Sequence, residues 1–192
     1  MRLACLLFAA LLHLAVPAYA MQVAGVDVPE QIELQGMEKP LRLNGAGIRK
    51  KLFIDIYVAA LYLPELHRRA ETLLRRPPPN RVLMHVVYNK ISRAKMGSAW
   101  EAGFSANLTS EDYQALQARL EQFMAMFEDL ERDDQVWLDY LPGEGTRVTI
   151  NGEVRGSVPG ADFNSALLAV WLGDEPVTES LKHALLGSVD RR

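Results

Sequence analysis

The apolar pattern of this chain centres on residues 52–63, where only Asp55 and the phenol groups of Tyr57 and Tyr62 interrupt a run of apolar side chains. The run is too short to cross a bilayer as a helix, and its β-branched and aromatic residues favour a strand. In a strand, alternate side chains point to opposite faces, so both faces of this one are apolar, and Asp55 and Tyr57 share a face. We therefore predict a central strand that is buried on both sides.

The segments around this run show weaker but regular patterns. Before it, residues 23–26 and 31–34 predict two short edge strands, because proline and glycine interrupt them. After it, helical periodicity, N-cap signals and turn residues predict further elements. In chain order these are a helix at residues 65–76, a strand at 81–88, helices at 92–107 and 109–127, strands at 135–141, 147–150 and 153–157, and helices at 162–172 and 177–186. This order predicts an α+β fold, an antiparallel β-sheet with helices packed on one face.

Residues 1–20 carry the pattern of a secretory signal peptide. Arg2 supplies the positive charge, residues 3–16 form a short apolar run, and Ala18-Tyr19-Ala20 is a small-x-small cleavage signal. We predict cleavage between Ala20 and Met21, export across the inner membrane to the periplasm, and a mature chain without a transmembrane segment. Residues 21–192 then form one domain that is long enough to bury a core.

Charge and cysteine content narrow the classes of function. The formal net charge is −3 and becomes about −4 when Arg2 is removed with the signal peptide, so the chain has no general attraction for nucleic acid. The single cysteine, Cys5, lies in the signal peptide, so the mature chain has neither a disulfide nor a cysteine metal site. The stability of the exported protein must then come from its hydrophobic core.

The sequence shows no motif of a common catalytic or cofactor site. His85 lies in a predicted strand with no second histidine nearby, and such a residue is more often hydrogen-bonded in a sheet than bound to a metal. There is no GxSxG, HExxH or P-loop motif, and the adjacent Asp133 and Asp134 are typical of a solvated turn. We therefore expect no cofactor and no metal, and the sequence identifies no protein partner.

Gly45, Gly47 and Arg49 precede the central run and leave two interpretations open. Glycine has no Cβ, so a ligand or a helix can approach the backbone closely at these positions. In the first interpretation the glycines form the floor of a pocket into which Arg49 projects. In the second they form a bulge or a packing contact with Arg49 in solvent. Composition alone favours the second, because arginines are mostly exposed.

The letters of this stretch carry a resemblance to a known family. LNGAGIR at residues 43–49, followed by a strand that ends in ALYLP at 60–64, resembles the chalcone isomerase family, whose members carry a near-identical L-x-G-A-G-V-R ahead of a strand ending in V-Y-L. The resemblance is closest to the bacterial, secreted branch of chalcone isomerase-like proteins and extends over nearly all of the mature chain. It implies the open-faced β-sandwich of that family for residues 21–192.

The resemblance also implies which residues would act if the chain were an isomerase. Chalcone isomerases close a flavonoid ring, and the family arginine, which Arg49 matches, stabilises the developing enolate charge. Counting back from Tyr62, the position of the family threonine holds Tyr57. If Lys95 matches the family lysine, the tyrosine and asparagine positions hold Ser92 and Ala99. The groups that order water are then missing, so we expect isomerase activity to be absent or marginal.

The fatty-acid-binding branch of the family gives the favoured expectation, a non-catalytic protein with a fatty acid or similar apolar carboxylate in a cleft. Arg49 would bind the carboxylate and Tyr57 would donate a hydrogen bond to it. Phe53, Leu61, Met96, Trp100 and Phe163 could supply the apolar wall. The alternative is a structural or interaction domain without a small ligand, in which Arg49 pairs with Asp55.

Overall fold

A seven-stranded antiparallel sheet organises residues 20–187, the part of the chain that the computed structural model describes. The strands are β1 (Ala20–Val23), β2 (Val26–Pro29), β3 (Gln31–Ile32), β4 (Leu41–Lys51), β5 (Ile54–Leu63), β6 (Asn80–Val86), β7 (Lys90–Ile91), β8 (Leu130–Glu131), β9 (Gln135–Leu141), β10 (Gly145–Ile150) and β11 (Glu153–Val158). The helices are α1 (Ala70–Arg75), α2 (Arg93–Asn107), α3 (Ser110–Ala125), α4 (Ala161–Leu172) and α5 (Glu179–Leu185). The order in the large sheet is β11-β10-β9-β6-β5-β4-β3, while β1–β2 and β7–β8 form two small ladders. The predicted α+β fold is confirmed.

The central strand is buried on both faces over most of its length, as its apolar pattern predicts. Tyr57, Ala59, Leu61 and Leu63 belong to the main core, which lies between the sheet and the helices. Val58, Ala60 and Tyr62 point to the other face, into a smaller core that the N-terminal segment covers. Because successive side chains of a strand point to opposite faces, those of β5 are divided between the two cores.

The start of this strand differs from the prediction. Leu52 and Phe53 form the two-residue turn between β4 and β5, with 86% and 98% of their surface exposed. Lys51 pairs with Ile54 across the ladder, so the strand begins at Ile54 rather than at Leu52. The sequence pattern places Leu52 and Phe53 in the strand because two-residue hairpin turns seldom carry leucine or phenylalanine.

The N-terminal segment also differs from the two predicted edge strands. Residues 23–26 are the turn of a hairpin between β1 and β2, where Ala24 and Gly25 have φ of +49° and +82°. The short strand β3 alone joins the edge of the large sheet. Behind the hairpin, Val28, Leu34 and Leu41 are buried against the outer face of β5.

The local signals for helix starts and turns predict the later elements well. Ser92 Oγ accepts a hydrogen bond from the Lys95 backbone at 3.3 Å, and Thr109 Oγ1 accepts one from Asp112 at 3.1 Å, so α2 and α3 begin at these caps. Asn151 and Gly152, both with positive φ, turn β10 into β11. The first and last helices, α1 and α5, are shorter than the predicted 65–76 and 177–186.

Gly45 and Gly47 form a seat for helix α5, which is the packing interpretation of the glycine pair. A Cβ on Gly45 would lie 2.7 Å from the Leu185 carbonyl oxygen, and one on Gly47 would lie 2.6 Å from Ala184 Cβ. The buried Asn44 side chain donates to the Leu185 carbonyl at 2.7 Å, which ties the end of α5 to the strand. The glycines thus position α5, and Arg49 lies further along β4 toward the turn.

The predicted signal peptide lies outside the described residues, apart from Ala20 at the start of β1. Between residues 20 and 187, none of the helices has both the length and the hydropathy that crossing a membrane requires.

Candidate functional site: a cleft beside the β4–β5 turn

An apolar cleft of about 850 Å³ opens next to the turn between β4 and β5. Its walls come from the start of β5, from helix α2 and from the chain around the end of α4. The apolar side chains that line it include Ile56, Met84, Ile91, Met96, Val170 and Val177. A cleft of this volume with mainly apolar walls is within the range typical of sites for small organic ligands.

A β-bulge determines which side chains of β5 reach the cleft. Arg49 pairs with Tyr57, but the next pair along the ladder is Lys50 with Asp55, so Ile56 has no partner on β4. Both Ile56 and its neighbour Tyr57 line the cleft, although strict alternation would place them on opposite faces. Bulges redirect side chains in this way and are frequent next to functional sites.

Arg49 lies half-buried at the cleft, directly opposite Tyr57 in the ladder. Its guanidinium donates to the backbone carbonyl of its neighbour Lys50. Within residues 20–187, no carboxylate lies within 4 Å of it, because Asp55 pairs with the Lys50 ammonium instead. The Arg49–Asp55 pair of the interaction-domain interpretation does not form, so the guanidinium keeps donors for another anion.

Tyr57 is buried, and its hydroxyl group is oriented by Trp171. The Trp171 Nε1–H donates to the Tyr57 hydroxyl oxygen at 3.0 Å. Since an indole nitrogen can only donate, the Tyr57 oxygen is the acceptor and its own proton remains for another partner. Burial raises the pKa of Tyr57 to about 12, against smaller lowering effects of the Trp171 hydrogen bond and the Arg49 charge. The phenol is therefore a proton donor at any physiological pH.

Positive charge predominates around the opening of the cleft. Besides Arg49, the lining includes Lys51, Lys90 and Lys95, against one carboxylate, Glu175. Lys90 pairs with Asp129 at 2.8 Å. In the described part of the chain, neither Lys51 nor Lys95 has a carboxylate within 4 Å. This distribution of charge favours a ligand with an anionic group at the opening.

The predicted apolar wall is correct for two of its five members. Met96 and Trp100 line the cleft. Phe53 points into solvent from the turn, while Leu61 and Phe163 are buried in the main core away from the cleft lining. Phe53 is outside the wall because it lies in the β4–β5 turn, and Leu61 and Phe163 because they pack within the main core. The bulge brings Ile56 to the cleft, and α4 contributes Val170, about two helical turns after Phe163.

If Lys95 matches the family lysine, Ser92 and Ala99 hold the positions where the family tyrosine and asparagine would order a water. Ala99 lines the cleft and presents only a methyl group. Ser92 uses its hydroxyl to cap α2. Trp100 follows Ala99 on α2, and its buried Nε1 has no hydrogen-bond partner within the described residues, while its ring centroid lies 5.6 Å from that of Trp171. The Ala99 side chain therefore offers no hydrogen bond to a water in the cleft.

Comparisons with known proteins give a family and a fold. A family model described as chalcone isomerase-like matches residues 20–187. The structure is similar to the crystal structure of a fatty-acid binding protein from Arabidopsis thaliana, with a TM-score of 0.67 and 20% sequence identity. That match covers 84% of this chain and 92% of the Arabidopsis chain, and at this identity it shows a shared fold. No curated protein matches the sequence.

Proposed function

We propose that this chain, which belongs to the chalcone isomerase-like family, is a non-catalytic member that binds a fatty acid or a similar apolar carboxylate in the cleft. The observation that carries the proposal is Arg49. Its guanidinium has no carboxylate partner in the described chain and lies beside the free phenol proton of Tyr57, at an apolar cleft of about 850 Å³. That combination suits a molecule with one anionic end and a long apolar remainder.

In the proposed complex the ligand carboxylate accepts hydrogen bonds from the Arg49 guanidinium and from the Tyr57 hydroxyl. Hydrogen bonds to a charged group contribute about 1.5–3 kcal/mol. The tail lies against Ile56, Met96 and Val170, where each methylene removed from water adds about 0.8 kcal/mol. Most of the affinity thus comes from the tail, and the polar groups determine its orientation.

Two further observations support a binding role over catalysis. The similar Arabidopsis protein is a fatty-acid binding protein. Its shared fold supports a binding role for this chain by analogy. If Lys95 matches the family lysine, Ala99 lines the cleft at the position of the family asparagine, and its methyl group cannot order a water. We further propose that the protein acts in the periplasm, which the signal-peptide pattern of residues 1–20 supports.

Titration with a long-chain fatty acid in solution tests the proposal. Arg49→Gln keeps a polar side chain of similar length but removes the charge, and we expect its affinity to fall about tenfold, the loss of one charge-assisted hydrogen bond. Arg42→Gln is the matched control, since Arg42 is an exposed arginine on the same strand and outside the cleft lining. Equal affinity of wild type and both variants would show that Arg49 does not bind the carboxylate. Absence of binding by wild type would refute the proposal.

A further inference from the structure

The turn between β4 and β5 holds the most exposed cluster of large apolar side chains in the described chain. Leu52 and Phe53 are almost fully exposed, and the next residue, Ile54, is 49% exposed. The other exposed large apolar residues, such as Val154 and Leu66, are separate from one another in sequence. Single exposed apolar residues are normal on a protein surface, but a contiguous group of three at the tip of a hairpin is typical of an interaction site.

The backbone of this turn gives a second, independent reason to assign it a role. Leu52 has a φ of +56°, in the left-handed region that residues other than glycine and asparagine rarely adopt. Two-residue hairpin turns favour Asn-Gly or a glycine at the first position. Leu52 strains the backbone of the turn, and both Leu52 and Phe53 expose apolar side chains to water. Folding alone therefore does not account for these residues.

Cationic groups surround the apolar tip. Lys50 and Lys51 precede it on β4, and Arg49 and Lys95 lie at the same opening of the cleft. Lys50 pairs with Asp55, but within residues 20–187 the other three cations have no carboxylate within 4 Å. The whole chain has a net charge of −3, so this positive region opposes the general charge of the protein. Apolar side chains beside lysines are the chemistry that binds the interface of an anionic lipid bilayer.

We propose that the tip formed by Leu52, Phe53 and Ile54 inserts into the interface of an anionic lipid bilayer. The surrounding cations then lie against the lipid headgroups and attract them electrostatically. Because Leu52 and Ile54 also line the cleft, docking places the cleft opening at the membrane surface. A fatty acid could pass between the bilayer and the cleft without crossing bulk water. That last consequence rests on the proposed function, whereas the docking itself does not.

Co-sedimentation with vesicles tests the docking. The purified exported protein, without added fatty acid, is mixed with vesicles of phosphatidylcholine alone or of phosphatidylcholine with phosphatidylglycerol. We expect binding to the anionic vesicles, and Phe53→Asn to lower the partition coefficient about tenfold, as expected for the loss of one inserted aromatic side chain. Val154→Asn is the matched control, because Val154 is an exposed apolar residue on β11 and outside the cleft lining. It should bind like wild type, and added salt should weaken binding of both.

The outcomes separate docking from ligand binding. Phe53 lies outside the cleft lining, so Phe53→Asn should keep the affinity of wild type for fatty acid in solution and the same melting temperature. Vesicle binding that is absent in wild type, or equal in wild type and Phe53→Asn, would overturn the docking proposal. A concentration-dependent dimer that Phe53→Asn abolishes, without vesicle binding, would overturn it in favour of a contact between copies. Phe53-dependent vesicle binding without any fatty-acid binding would overturn the proposed function and leave the docking intact.

Discussion

At the scale of single residues, the site depends on a pair that faces each other across two strands. Arg49 and Tyr57 are directly opposite in the β4–β5 ladder, so their side chains are neighbours on the same face of the sheet. Trp171 fixes the phenol from the helix side. The tyrosine is therefore held from the sheet and from α4, and the arginine is left with free donors. This asymmetry suits a site in which the ligand supplies the anion that pairs with the guanidinium.

The buried tyrosines predict how stability changes at alkaline pH. The pKa of Tyr57 is about 12 in the folded protein and about 10 when unfolded, so it stabilises the fold fully below pH 10 and progressively less from pH 10 to 12. The loss is about 1.4 kcal/mol per pH unit in that window. Tyr57→Phe should reduce this slope, and it should also cost about 1–3 kcal/mol at neutral pH, because Trp171 Nε1 loses its acceptor.

Urea unfolding across this pH range measures the effect, and Tyr62→Phe is the comparison. Burial also raises the pKa of Tyr62 to about 12, but this residue lies on the other face of β5 and donates to the Pro29 carbonyl at 3.0 Å. Both variants should reduce the alkaline slope, whereas only Tyr57→Phe should weaken fatty-acid binding. An unchanged slope in Tyr57→Phe would contradict the assignment of the alkaline loss to this residue.

At the scale of elements, helix α5 is placed by the two glycines of β4. Gly45→Ala should destabilise the fold by about 1–3 kcal/mol, because the new Cβ would meet the backbone carbonyls of Ala184 and Leu185, and a backbone cannot move aside as a flexible side chain can. Gly97→Ala is the control, since a Cβ there would meet only Met124 Sδ at 3.8 Å, and alanine suits the interior of α2. Chemical denaturation of both variants gives the comparison, and equal stability of Gly45→Ala and wild type would contradict the seat.

The same scale shows which parts of the fold a sequence can predict. The cap at Thr109 and the turn at Asn151-Gly152 depend on neighbours in the chain, so local patterns identify them. The bulge at Ile56 depends on how β4 pairs with β5, and no local pattern reports such a pairing. For this reason the predicted cleft wall omits Ile56, whereas Phe53 is outside the wall because it lies in the β4–β5 turn, and Leu61 because it lies further along β5 in the main core.

At the scale of the whole molecule, stability has to come from two cores without any disulfide. The sheet separates the main core under the helices from a smaller one under the β1–β2 hairpin. The hairpin begins at Ala20, which pairs with Pro29, while Met21 pairs with Val28. Cleavage after Ala20 would therefore remove one terminal residue of β1 and keep the remaining pairs, so the predicted mature chain still contains the cover of the smaller core.

Export and cleavage of the chain can be tested by intact mass. We expect protein recovered from a periplasmic extract to begin at Met21, because Ala18 and Ala20 supply the small side chains that the cleavage site requires. Ala20→Leu should block cleavage and leave the full-length mass. Tyr19→Leu is the matched control, since the position between the two small residues accepts a large side chain, and it should be processed like wild type. A cytoplasmic product that retains residues 1–20 would contradict both the signal peptide and the periplasmic site of action, whereas the cleft and its ligand would still be tested by Arg49→Gln.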